Sequence, residues 1–122
     1  FNGGKSFVTS VTGDTVDIFK KARENARLTG KLLGYLLSAG TLFKDYSVSL
    51  IGFSLGAQVI KSCLNTIHKA NHYNPIHNVY FLGGATFIKE PKIETQKRIF
   101  TKVVSGRIVS VYTDNDTTLI SF

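Results

Sequence analysis

At 122 residues, 43% of them apolar, the chain is long enough for one packed domain and too short for two. Fifteen basic residues against eight acidic ones give a net charge of +7, which favours anionic partners. A single cysteine, Cys63, excludes an internal disulfide, there is no zinc-type Cys/His spacing, and no run reaches the ~18 apolar residues of a membrane span.

Residues 1–13 are rich in Gly, Ser and Thr and predict an irregular lead-in. Asp14 or Thr15 then caps a helix running to about residue 37, with Val16, Phe19, Ala22, Ala26, Leu33 and Leu37 at roughly helical spacing. Lys20, Lys21, Arg23, Arg27 and Lys31 lie on the same segment. They read as a solvated face, or more sharply as attraction to an anionic membrane surface. No nucleic-acid motif accompanies them, so no nucleic-acid partner is expected. Gly30 and Gly34 form a G-x-x-x-G, expected to allow close packing of this helix on a sheet.

Residues 41–45 connect to a strand over 47–51. That run is β-branched and nearly all apolar, which predicts cover on both faces. It leads into Gly52-Phe53-Ser54-Leu55-Gly56, a G-x-S-x-G followed at once by a helical pattern, the strand–turn–helix setting of a nucleophile elbow. In that setting Ser54 stands on a tight turn, and Gly52 and Gly56 avoid a Cβ that would meet the turning backbone. The Leu55 N–H, at the start of the helix, becomes an oxyanion donor. The blander alternative makes Ser54 only a helix N-cap.

The helix is expected over 55–71, with Val59, Ile60, Cys63, Leu64, Ile67 and Ala70 as its apolar stripe and Cys63 a buried thiol. Residues 78–82 are a second strand, ending at Gly83-Gly84. A loop carrying Pro91 follows, then a helix over 94–104, a closing Gly106 and a third strand over 107–112. The alternation predicts an α/β fold: three parallel strands joined by crossover helices.

Sites in such sheets collect at the carboxyl ends of the strands. There the turns at 52–56, 83–86 and 113–117 fall together, with the first and third strands about 10 Å apart. An imidazole fits between a serine hydroxyl and a carboxylate across that gap. Asp114 and Asp116 both suit the acid, with spacing in favour of Asp116. The three histidines do not suit the base. His68 lies fourteen residues along the helix from Ser54, about 21 Å, and His72 and His77 precede the second strand. The histidine is expected after residue 122. Neither a metal nor a cofactor is called for.

Three blocks resemble one known family. They are Val48-Ser49-Leu50-Ile51-Gly52-Phe53-Ser54-Leu55-Gly56-Ala57, then Asn78-Val79-Tyr80-Phe81-Leu82-Gly83-Gly84-Ala85, then Val103-Val104-Ser105-Gly106-Arg107-Ile108-Val109-Ser110-Val111-Tyr112 with Asn115-Asp116. From residue 26 onward the chain resembles the conserved domain of the transmembrane and coiled-coil domain-containing proteins, in particular the member numbered four. Thr117 stands where that family has a tryptophan, and Thr86 where it often has a proline. The resemblance implies an α/β-hydrolase-like domain in a longer, membrane-associated protein, with Ser54 as nucleophile and Asp116 as acid. It thus implies a fragment of an α/β-hydrolase fold, residues 1–122 being a partial domain cut at both ends. The implied activity is hydrolysis of an ester or lipid. The alternative is an inactive hydrolase-like scaffold for protein or membrane interaction in trafficking, with membrane contact made by other parts of the parent protein.

Overall fold

A computed structural model of the chain describes residues 3–71, 75–83 and 92–111, leaving aside the side chains of residues 3–12. The elements in order are α1 (Gly3–Ser38), β1 (Val48–Phe53), α2 (Gly56–Lys69), β2 (Ile76–Leu82), α3 (Ile93–Val103) and β3 (Ile108–Val111). The strands form one sheet in the order β1-β2-β3, all parallel, with Leu50 opposite Val79 and Val79 opposite Ile108. This is the expected α/β arrangement of three parallel strands with helices between them.

The core follows from two periodicities. Ala57, Ile60, Cys63, Leu64 and Ile67 recur at three- and four-residue steps on α2 and are buried. Val79 and Phe81, two apart on β2, point at them from the sheet. From α3, Phe100 and Val103 close the cluster, the Phe100 ring stacking on Phe81 at 6.2 Å. Burial pushes the Cys63 thiol up to about 12. The thiolate is the reactive form. Iodoacetamide should therefore leave Cys63 unlabelled in the folded chain, with no rise between pH 7 and 9, and label it after denaturation. Mass spectrometry of the carbamidomethyl adduct checks this.

Several expectations need correction. The lead-in is not irregular over residues 3–13: α1 begins at Gly3, so Asp14 and Thr15 lie inside the helix and neither caps it. Gly3, Gly4 and Gly13 each cost about 1 kcal/mol of helix propensity, but no proline interrupts the run. Val16 and Phe19, which stand at helical spacing with Ala26 and Leu37, are exposed on α1 whereas Ala26 and Leu37 are buried. Among the described residues, helices cover the sheet on one face only. In two successive rows, Ile51, Tyr80 and Val109 and then Phe53, Leu82 and Val111 are in register on the other face. Ile51 and Phe53 are 70% and 75% exposed.

The G-x-x-x-G packs helix on helix, not helix on sheet. A Cβ on Gly30 would run into the Val59 carbonyl and the Ser62 Cβ. One on Gly34 would lie 2.7 Å from the Thr66 Cβ and 2.8 Å from the Cys63 carbonyl. Ser62 Oγ also donates to the Arg27 carbonyl across this seam. Gly40 (φ 74°) and Asn71 (φ 54°) follow α1 and α2 in the left-handed region that suits those residue types after a helix.

Candidate active site

The site begins where β1 runs out. Ser54 has φ 53°, a left-handed conformation uncommon for a residue with a Cβ. Its N–H donates to the Leu82 carbonyl at 3.1 Å, carrying the β1–β2 ladder one rung past the strand. The chain then turns into α2. Leu55 is already helical (φ −61°, ψ −18°), and no side chain caps the helix. Ser54 is exposed and is not the N-cap. The first bonds of the turn run from Ala57 N–H to the Ser54 carbonyl and from Gln58 N–H to the Leu55 carbonyl, both at 3.0 Å. The N–H groups of Leu55 and Gly56 precede them, at the helix end where donors lack intrahelical acceptors.

The two glycines of the motif differ. A Cβ on Gly52 would lie 2.6 Å from Ile60 Cδ1 and 2.7 Å from the Gly56 carbonyl group, so β1 and α2 meet through Gly52. A Cβ on Gly56 meets nothing within 4 Å, and the collision expected there is absent. Gly52→Ala should cost about 1–3 kcal/mol by forcing the strand and helix apart. Gly56→Ala should be neutral or stabilise by up to about 1 kcal/mol, because alanine is the better helix former. Urea unfolding of the two variants compares them.

At the same edge, Gly83 (φ 56°) donates to the Val111 carbonyl at 2.9 Å. Because β3 runs parallel with Leu82 opposite Val111, the carboxyl ends of all three strands lie on Ser54's edge. Asp114, Asp116, the rest of the 113–117 turn and residues 84–86 are outside the described residues, as is His72. His68 is half-buried near the far end of α2. His77 is exposed near the amino end of β2, where the neighbouring Ile76 pairs with Val48, and its Nδ1 is 3.4 Å from Ser105 Oγ. Neither described histidine shares the edge that carries Ser54.

Among the described residues no three His, Cys, Asp or Glu side chains gather to hold a metal, and no helix is long and apolar enough to cross a membrane. The sequence reading overlooked a cationic groove between α1 and α2. Its signal was Lys61 and Lys69, eight apart on one helix, facing Arg27 and Lys31, four apart on the other.

The family described as "Protein of unknown function (DUF726)" matches residues 8–122. Among curated proteins, the chain is 38% identical over 93 residues to an uncharacterized membrane protein of Schizosaccharomyces pombe. That alignment takes in 76% of this chain and 11% of the relative. It is 37% identical over 93 residues to the Saccharomyces cerevisiae protein named "Probable lipase MIL1", covering 76% of this chain and 8% of that one. A third relative is the transmembrane and coiled-coil domain-containing protein STS1 of Oryza sativa subsp. japonica, 36% identical over 88 residues, with 71% and 13% covered. The chain thus spans about a tenth of the length of these relatives. No solved structure matches it.

Proposed function

The chain belongs to the DUF726 family, and on that premise we propose that it is the nucleophile-bearing part of a membrane-associated serine hydrolase acting on an ester or lipid. The observation that carries this reading is Ser54, held left-handed and exposed between β1 and α2. In the proposed mechanism Ser54 Oγ attacks the ester carbonyl carbon and its proton passes to a histidine. The Leu55 N–H takes the oxyanion as charge develops. Collapse expels the alcohol, and water then releases the acid from the acyl-serine. Asp116 orients the histidine, which is placed C-terminal to residue 122. Gly52 and Gly56 are the elbow glycines, the first by close packing and the second by opening the helix. A relative named "Probable lipase MIL1" and others named as membrane proteins support the substrate class and the setting.

A second reading, a scaffold without catalysis, draws on the distance of His68 and His77 from the Ser54 edge and on the open apolar face of the sheet. Labelling of the full-length protein with a fluorophosphonate separates the two. Labelling that depends on Ser54 supports the hydrolase, and its absence in folded protein supports the scaffold.

A further inference from the structure

The groove between α1 and α2 has a volume of about 610 Å³. It extends from Gln58 to Ala70, about 18 Å along α2. Its described lining contains four cations, Arg27, Lys31, Lys61 and Lys69, and no carboxylate. Glu24 pairs with Arg27 at 2.7 Å from outside the lining. Lys61 is half-buried, and its ammonium is held below the usual lysine range by burial and by the nearby charges of Arg23 and Lys92. An anion seated among the four lining cations is attracted by all of them.

Two further features narrow the ligand. Gln58 is only 6% exposed, lines the groove, and has a buried Oε1 without a hydrogen-bond partner. An amide oxygen accepts, so it calls for a donor such as a hydroxyl, which a bare anion lacks. Tyr35 lies on the lining beneath the Lys31 ammonium, 6.0 Å from its ring centroid. Leu32, three residues before Tyr35 on the same helix, belongs to a row with Leu28 and Leu36 at four-residue steps, and the three are 48%, 60% and 43% exposed in chain order. A stripe of leucines beside a cationic groove is the pairing found where a helix lies in a membrane interface.

We infer that this groove binds a polyphosphorylated polyol, carried as the headgroup of a membrane lipid whose acyl chains lie along Leu28, Leu32 and Leu36. A phosphomonoester carries nearly two negative charges at neutral pH, so one to two of them balance Lys31, Lys61 and Lys69, Arg27 being paired already with Glu24. The polyol hydroxyls donate to Gln58 Oε1. The site is on the flank of α2, its described lining omits Ser54, and it functions whether or not Ser54 is catalytic.

The test is flotation of the chain with phosphatidylcholine vesicles containing phosphatidylinositol bisphosphate. Phosphatidylserine vesicles of equal surface charge and soluble inositol trisphosphate form parallel arms. Binding should be strongest to the bisphosphate vesicles. Lys31→Gln with Lys69→Gln, both at exposed positions, should weaken it about thirtyfold, the effect of two lysines at a membrane surface. Arg98→Gln with Lys102→Gln removes the same charge from α3 and should change binding less than threefold. Leu32→Gln with Leu36→Gln should lose the vesicles while keeping inositol trisphosphate. If that variant keeps the vesicles, the lipid carrier is overturned. Equal binding to phosphatidylserine vesicles, equal losses in the two charge-removal pairs, or no binding in any arm would overturn the groove itself.

Discussion

In the full-length protein, Ser54→Ala should abolish fluorophosphonate labelling and lower ester hydrolysis by about a thousandfold or more, the scale of removing a catalytic nucleophile. Ser54→Gly should do the same to activity and also stabilise the fold by about 1 kcal/mol. The reason is backbone geometry. Ser54 adopts φ 53°, where a Cβ costs roughly 1–2 kcal/mol and glycine costs almost nothing. A turn selected only for folding has no use for that strain, whereas a turn that must present a hydroxyl does. Labelling and thermal unfolding of both variants test the two halves separately. Activity that survives Ser54→Ala removes Ser54 from the mechanism. A Ser54→Gly variant less stable than the parent shows the serine side chain to be structural.

The crossover pattern was legible because each element advertises its period. On α2 the buried positions recur at helical steps, and the apolar runs of β1 and β2 are short and bounded by turn residues. The Ser54 turn was legible for a similar reason: the motif stands where a short apolar strand run passes directly into a helical period. Other features depend on contacts between distant positions. A nearly all-apolar run reads as a strand covered twice, yet Ile51 and Phe53 face away from the described helices of the core. The G-x-x-x-G announces a close approach without saying to what, and Val59, Ser62, Cys63 and Thr66 are about 30 residues away in sequence. Arg27 and Lys61 become neighbours in one groove only through that approach. For Gly56 the motif pointed to crowding that the turn does not impose. Asp114 and Asp116 lie outside the described residues, so the acid stands on sequence spacing and the family resemblance.

Gly30→Leu should destabilise the chain by about 3 kcal/mol or more, enough to leave α1 detached or the domain unfolded. The contact that forbids it is backbone, not a movable side-chain tip: a Cβ at Gly30 points into the Val59 carbonyl, with the Ser62 Cβ at 2.7 Å. Relief requires α1 and α2 to separate along the whole seam. That would also break the Ser62–Arg27 hydrogen bond and open the packing of Ala26 and Leu37. Gly13→Ala, in the same helix with nothing within 4 Å of the added Cβ, should instead be neutral or stabilise by up to about 1 kcal/mol. Urea unfolding followed by circular dichroism compares the two. A Gly30→Leu variant with parental stability would show that α1 does not lie on α2 through this glycine. The cationic groove would then lose one of its walls, since Arg27, Lys31 and Tyr35 all reach it from α1.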